Sequence, residues 1–276
     1  MKERHGYPTD LTDEQWALVE PVITAWKAAR PSATGNVSRY SMREVVDAIQ
    51  YQNRAGCAWP MLPNDFPPPW TVKYFFYRWR DDGLDATICE LLRCRVRERA
   101  GRTEDPSLVV LDAQSVHAAN NVPAATTGKD AAKRVPGRKH GIAVDVIGLI
   151  IAVVVMAASA HDNQVGTALL DRVAASTSSV KTALVDQGFK SSVVDHGAGL
   201  GIDVQIVERN PQDTGFIPQP VRWKVEQTYG TLILQRRLTR DYEGNPRTTE
   251  SRMYWAASSI MLGKLTGTAA PSWRGA

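Results

Sequence analysis

The sequence predicts an α/β domain with a mixed five-stranded sheet and flanking helices, preceded by a small all-helical domain. Apolar residues recur at helical spacing over residues 1–103, whereas short β-branched runs alternate with helical stretches over residues 104–276. Strands that alternate with helices are typical of a layered α/β domain. The chain has 276 residues, 43% of them hydrophobic and 22% charged, which suits two such domains of ordinary globular composition.

Four helices are predicted in the first domain. The sequences Thr12-Asp-Glu-Gln15 and Ser41-Met-Arg-Glu44 have the pattern of capping boxes, so we expect the first two helices to begin there. The prolines between Trp59 and Trp70 exclude a regular helix, and a third helix is expected from about Thr71. A fourth is expected from about Leu84 to Arg99.

The third helix has two contrasting faces. One is apolar, and the large aromatic residues of the region are expected in the core: Trp16, Trp59, Trp70, Phe75, Phe76 and Trp79. The other carries cations and tyrosines: Lys73, Tyr74, Tyr77, Arg78 and Arg80. The pattern fits an ordinary amphipathic surface helix, and it also fits the recognition helix of a helix-turn-helix-like domain.

Three strands, a helix, a strand, a helix, a strand and two further helices are predicted after Pro106. The second and third strands form a hairpin at Gly148. This order matches the RNase H-like fold, in which the first and fourth strands are neighbours. The expected strands cover residues 107–113, 140–147, 149–157, 180–186 and about 202–208, and the expected helices about 163–175, 190–198, 222–229 and 247–265.

Three carboxylates are the candidate catalytic residues. Asp112 ends the first predicted strand, Asp186 ends the fourth, and Glu226 lies in a later helix. In an RNase H-like sheet the two aspartates would meet at one edge. Carboxylates suit hard divalent cations, and two such ions about 3.5–4 Å apart can stabilise the attacking and leaving oxygens of a phosphodiester displacement. Two other aspartates are expected to have local roles: Asp145 as the cap of the Gly148 hairpin, and Asp162 as the cap of the following helix.

Basic residues surround these positions. The net charge is +4 and the pI about 9.0, which permits nucleic-acid binding without requiring it. Residues 128–140 contain five Lys or Arg and one Asp, and are predicted to form a loop beside the site. A solvated basic loop is one interpretation and contact with the DNA backbone is the other. Arg222, four residues before Glu226, either pairs with it or contacts phosphate.

Several classes of protein are excluded. The three cysteines, Cys57, Cys89 and Cys94, fit neither a zinc site nor a disulfide framework, and we expect buried thiols in a reducing cytoplasm. The N-terminus has no apolar signal-peptide core. The apolar stretch 148–160 is shorter than the about 20 residues of a membrane helix, so it is predicted to be a buried strand.

A set of motifs in a fixed order resembles the insertion-sequence transposases with a DDE active site, most closely insertion sequence family five. The resemblance covers nearly the whole chain. The motifs are Tyr7-Pro-Thr-Asp-Leu-Thr-Asp-Glu-Gln-Trp16, Gly56-Cys-Ala-Trp59, Leu111-Asp-Ala-Gln-Ser-Val116, Gly137-Arg-Lys-His140, Val144-Asp-Val-Ile-Gly-Leu149, Val185-Asp-Gln-Gly-Phe189 and Arg222-Trp-Lys-Val-Glu226, with Arg236-Arg237-Leu238 after them.

The resemblance implies a transposase of the bacterial cytoplasm, associated with the nucleoid. Its N-terminal domain would bind the terminal inverted repeats of its element. Asp112, Asp186 and Glu226 would be both the catalytic residues and the ligands of two Mg²⁺ ions, which Mn²⁺ can replace. Double-stranded DNA, as element ends and as target, would be the partner, held by a homodimer. The expected DNA-binding residues are Lys73, Tyr77, Arg78, Arg80, Lys133, Arg134, Arg138, Lys139, His140, Arg222, Arg236 and Arg237.

Departures from the family pattern leave a second interpretation open. Gln227 stands where the family usually has arginine, Thr231 where an aromatic residue is usual, and Ile233 where a related signature has lysine. The chain is then a DNA-binding derivative that lost catalysis and represses or inhibits transposition. A third interpretation is an RNase H-like nuclease without sequence preference.

Overall fold

The computed structural model describes residues 6–30, 40–207 and 223–268. Two compact units are distinguished by their internal contacts. The helical unit comprises Met1–Gly101, Gln235–Leu238 and Ser251–Ala276, and the sheet unit comprises Arg102–Leu234 and Thr239–Glu250. The prediction of separate domains at 1–103 and 104–276 stays a prediction.

Four N-terminal helices form most of the helical unit: α1 Asp13–Ala28, α2 Met42–Ala55, α3 Pro69–Asp82 and α4 Leu84–Arg99. The capping box at Thr12 is confirmed, because its side chain accepts the Gln15 N–H while the Gln15 side chain accepts the Thr12 N–H. The box at Ser41 is wrong, since Ser41 makes no side-chain bond to the first turn of α2. Helix α3 begins at Pro69, because proline suits a first-turn position whose N–H is not needed.

The core of the helical unit is aromatic. Trp59, Phe76 and Trp79 are buried as expected, and the Trp79 ring packs 5.8 Å from that of Trp255. Trp255 lies in the last helix, α8 Pro246–Thr266, whose residues from Ser251 onward belong to this unit. The expectation for Trp70 is wrong: its side chain is 64% exposed.

The sheet unit contains a six-stranded mixed sheet. Its strands are β1 Leu108–His117, β2 Gly128–Lys129, β3 Pro136–Asp145, β4 Ile150–Ala157, β5 Thr182–Val185 and β6 Asp203–Ile206. β1 pairs with β3 antiparallel and with β5 parallel, β4 pairs with β3, and β6 pairs with β5. The sheet is mixed and the predicted first and fourth strands are neighbours, as in an RNase H-like fold. The additional strand, β2, has two residues and was too short to leave a pattern in the sequence.

Strand lengths differ from the prediction in one consequential way. β1 continues to His117, so Asp112 lies within the strand rather than at its end. Pairing between β1 and β5 stops at Val110 and Leu184, and from there β1 pairs with β3 alone. Asp112 therefore lies just beyond the point where the two parallel strands part, and Asp186 directly follows β5.

Two helices, α5 Asp162–Ser176 and α6 Ser191–Gly199, pack apolar side chains against the sheet. Val165, Leu169 and Val173 of α5 are fully buried in a cluster with the strands. The apolar stretch predicted as a strand is β4, which is buried along most of its length. Within the parts of the chain that the structure describes, no helix has the length and apolar character needed to cross a membrane.

The expectation that the cysteine thiols are buried holds for one of the three residues. Cys89 is buried, and burial raises the pKa of its thiol to about 12. Cys57 and Cys94 are partly exposed.

Candidate active site

A cavity of about 480 Å³ in the sheet unit brings the three predicted carboxylates together. Asp112, Asp186 and Glu226 all line it, and so does a fourth carboxylate, Asp162. The remaining lining residues are Ala113, Gln114, Lys133, Phe189, Tyr229, Gly230 and Ile233.

Local structure fixes Asp186 where it leaves β5. Its Oδ1 accepts the Gly188 N–H at 2.8 Å, and its carbonyl accepts the Phe189 N–H at 3.2 Å. These two hydrogen bonds form a tight turn after β5, and Phe189 at the end of the turn is buried. Because β1 and β5 are parallel neighbours, this turn lies beside Asp112.

Glu226 is brought to the cavity by α7 Trp223–Leu232. The glutamate is exposed, whereas Val225 and Tyr229 of the same helix are buried. The Tyr229 hydroxyl donates to the His140 carbonyl at 2.6 Å and lies 3.0 Å from the Asp112 carbonyl oxygen. Burial, with the nearby Asp112 carboxylate, raises the pKa of Tyr229 well above its usual value, so the phenol stays a protonated donor. The sequence interpretation missed Tyr229, although its spacing of three residues from Glu226 puts both near one side of the helix.

Asp162 does not cap α5, so that prediction is wrong. The N-cap is His161, whose side chain accepts the Asn163 N–H while Gln164 completes the capping box. Asp162 is the first helical residue, and its Oδ1 accepts a hydrogen bond from Lys139 Nζ at 2.7 Å. The buried Lys139 takes the Asp162 carboxylate as its hydrogen-bond acceptor, because an ammonium inside a protein requires one.

Gly188 separates Asp162 from Asp186. A Cβ atom at this glycine would stand 2.9 Å from Asp186 Oδ1 and 3.3 Å from Asp162 Oδ2. The two carboxylate oxygens therefore face the same small space, which only a glycine leaves open.

Lys133 is the cavity's exposed cation. Its ammonium lies 3.5 Å from the Ala113 carbonyl oxygen, and its backbone N–H donates to Asp130 Oδ1 at 2.9 Å. Asp130 Oδ2 accepts from the Ser115 hydroxyl at 2.6 Å. The Lys133 N–H, the Ser115 hydroxyl and the charge of Lys139 lower the pKa of Asp130, so the turn carrying Lys133 is held by an ionised carboxylate. Arg134 follows, exposed, with a φ of 55°.

The prediction that residues 128–140 form a basic loop is wrong from Pro136 onward, because β3 begins there. Arg138 is fully buried; it donates to Asp241 Oδ1 at 3.0 Å and to the Glu243 carbonyl at 2.8 Å. His140 is 4% exposed and lies 3.2 Å from Asp241 Oδ2. Burial opposes ionisation of Asp241, yet the His140 hydrogen bond and the charge of Arg138 lower its pKa. Burial leaves Arg138 and His140 no surface for DNA, and Lys139 is directed at Asp162.

Six of the other expected DNA-binding residues lie in the helical unit, where their role stays a prediction. On α3, Lys73 Nζ lies 5.0 Å from the Trp70 ring centroid and 5.7 Å from that of Tyr77. Arg78 and Arg80 pair with Asp82 and Asp81. Arg236 is exposed, and Arg237 donates to the carbonyls of Gly56 and Cys57. Arg222 lies outside the described residues.

The chemistry of the lining side chains suits a hard divalent cation. Four carboxylates face one cavity, and oxygen is the donor that Mg²⁺ and Mn²⁺ prefer. As placed, no three Asp, Glu, His or Cys side chains within residues 6–30, 40–207 and 223–268 are close enough to bind one ion. The carboxylates fit such an ion by type and by shared location.

The fold and the site together define a class: an RNase H-like protein whose carboxylates lie where two parallel strands part, an arrangement suited to phosphodiester chemistry. Residues 103–262 match the family model described as "Transposase DDE domain", and residues 11–89 match the one described as "Putative transposase of IS4/5 family". The first match covers more than half of the chain, which therefore belongs to the DDE transposases of IS4/IS5 type. No curated protein matches the chain. A DDE domain implies an enzyme that acts on DNA, and DDE transposases generally use divalent metal ions.

Proposed function

We propose that this protein is the transposase of an insertion sequence: it binds the terminal inverted repeats, cleaves the DNA there and transfers the freed strand to target DNA. The observation that supports this most directly is that Asp112, Asp186 and Glu226, which are far apart in the sequence, line one cavity. The catalytic role of these residues is part of the proposal.

Two in-line displacements make up the proposed reaction. In the first, water forms a bond to phosphorus and the DNA 3′ oxygen leaves as a hydroxyl. In the second, that hydroxyl forms a bond to a phosphorus of the target strand, and the target's own 3′ oxygen leaves as a hydroxyl. Asp112, Asp186 and Glu226 would hold two Mg²⁺ ions, which supply electrostatic stabilisation to the attacking and leaving oxygens. No bond between protein and DNA forms in either step.

Other residues of the chain would bind the DNA phosphates and hold Glu226 in place. Lys133, on the cavity wall, would bind the scissile phosphate or its neighbour. Tyr229 fixes α7 against the carbonyls of His140 and Asp112, so that Glu226 faces the cavity when DNA enters. Residues 1–103 would bind the element ends, with the exposed face of α3 as the candidate reading surface. Two ends must meet for transposition, so we propose that a homodimer acts.

Cleavage of the element's own end tests the proposal. Purified protein is incubated with Mg²⁺ or Mn²⁺ and a labelled duplex that carries the inverted repeat flanking its gene, with a scrambled duplex as the control. We expect nicking at the repeat boundary that requires the metal and is absent from the scrambled duplex. Binding of the repeat without nicking would support the catalytically inactive derivative, and equal cutting of both duplexes would support the unspecific nuclease.

The salt dependence of DNA binding tests Lys133. Each phosphate contact releases counterions, so log affinity should fall with log salt by about 0.9 per contact. Lys133→Ala is expected to reduce that slope by about 0.9, as measured by fluorescence anisotropy over a salt series. Lys181→Ala is the matched control, because Lys181 is exposed and precedes β5, at the opposite end of the strand from Asp186. Equal slopes for both variants would remove Lys133 from the DNA interface.

A further inference from the structure

Lys139 is a buried cation between Asp130 and Asp162, the second of which lines the cavity. Its side chain is 7% exposed. The ammonium donates to the Ala160 carbonyl at 2.8 Å and to Asp162 Oδ1 at 2.7 Å, and it lies 3.8 Å from Asp130 Oδ2. A buried ammonium needs such partners, since removing a charge from water is costly.

The two carboxylates near Lys139, Asp130 and Asp162, differ in burial and in hydrogen bonding. Asp130 is buried, and both of its oxygens accept hydrogen bonds, from the Ser115 hydroxyl and from the backbone of Ala132 and Lys133. Asp162 has a side chain that is 39% exposed and lines the cavity.

The two oxygens of Asp162 have separate environments. Oδ1 is held by Lys139, while Oδ2 faces the space above Gly188, into which Asp186 Oδ1 also projects. The Asp186 oxygen is itself fixed by the Gly188 N–H. One oxygen of Asp162 is thus anchored by Lys139, and the other faces the same space as the candidate ligand Asp186.

We propose that Lys139 and Asp162 are positioning residues of the cation site: Lys139 orients Asp162 so that its Oδ2 faces the space beside Asp186, where it would supply negative charge and a hydrogen-bond acceptor to the surroundings of a bound cation. The proposal rests on the proposed function, because it assumes that Asp112, Asp186 and Glu226 hold the cation. Carboxylates that do not bind the metal themselves but hydrogen-bond to its ligands orient those ligands, and their loss typically weakens metal affinity by about 10- to 100-fold.

Mn²⁺ binding without DNA tests this directly. Asp162→Asn keeps the size of the side chain and an oxygen acceptor for Lys139, but removes the charge. We expect Mn²⁺ affinity, from titration calorimetry or the EPR signal of free Mn²⁺, to fall by about 10- to 100-fold. Binding of the inverted-repeat duplex without metal should stay unchanged. The matched control is Asp171→Asn, since Asp171 also lies on α5 and pairs with a basic residue, His196, but does not line the cavity.

Two further variants separate positioning from charge compensation. In Lys139→Met combined with Asp162→Asn both charges are removed, so stability should exceed that of either single variant while Mn²⁺ affinity stays low. Recovery of Mn²⁺ affinity in this double variant would overturn the proposal. Gly188→Ala places a methyl group between the two carboxylates and is expected to weaken Mn²⁺ binding, with circular dichroism confirming the fold.

The outcomes for the two proposals differ. Suppose that the wild type binds Mn²⁺ and cleaves its ends, and that Asp112→Ala does neither. Unchanged Mn²⁺ affinity in Asp162→Asn would then overturn the positioning role and leave the transposase function intact. A wild type that neither binds Mn²⁺ nor cleaves its ends would overturn both.

Discussion

Asp112→Ala is expected to lower the rate of end cleavage by at least about 10³-fold, while the affinity for the inverted-repeat duplex changes little. The carboxylate lines the cavity beside Asp186, just beyond the point where β1 and β5 part. Loss of one group that stabilises charge in a transition state typically costs two to three orders of magnitude, and loss of a group that acts within a unit costs more. Binding of the ends is assigned to other residues and should survive.

Single-turnover cleavage of the labelled repeat duplex measures the effect, and a gel-shift assay in calcium measures binding. Asp203→Ala is the matched control: Asp203 is an exposed aspartate at the start of β6, at the other end of the parallel strands from Asp186. Its cleavage rate should equal that of the wild type. Persistent metal-dependent cleavage by Asp112→Ala would refute the assignment of the active site.

Arg138→Met is expected to destabilise the protein by about 3–5 kcal/mol, because it leaves the buried Asp241 carboxylate without its guanidinium partner. Both side chains are fully buried, and Asp241 also accepts hydrogen bonds from the Thr249 hydroxyl and the Glu243 N–H. Methionine fills a similar volume but supplies no donor. The melting temperature should fall by roughly 10 °C.

Thermal and urea unfolding measure this loss, and Arg134→Met provides the contrast. Arg134 is exposed in the turn before β3, so its substitution should change stability by less than about 0.5 kcal/mol. Its DNA affinity should fall instead, as expected of a phosphate contact. If Arg138→Met kept wild-type stability and lost DNA affinity in the folded protein, that result would support a contact between Arg138 and DNA.

The sheet and its acidic residues were predictable because their signals are local. β-branched runs predict strands, and the order of strands and helices predicts which strands are neighbours. Asp112 and Asp186 follow apolar runs that the structure places as β1 and β5. Asp145 was also predicted correctly, since its Oδ1 accepts the N–H groups of Ile147 and Leu149 in the hairpin that follows it.

Whether each basic residue is buried or exposed was not predictable from such local signals. Residues 138–140 have the composition of a surface loop, but Arg138 meets its carboxylate 103 residues later in the chain. A local pattern carries no information about such a partner. The same limit applies to Asp162, whose partner Lys139 lies 23 residues earlier in the chain, on β3.

Periodicity and motif order along the chain thus sufficed for the fold class, the family and the carboxylates that share one cavity, because each depends on residues close together in sequence or on the order of whole elements. Which cations are exposed, which are buried, and which extra carboxylate lines the cavity depended on contacts between distant residues. The physical reason is desolvation: a buried charge is stable only beside a partner, and the folded chain alone brings Arg138 to Asp241 and Lys139 to Asp162.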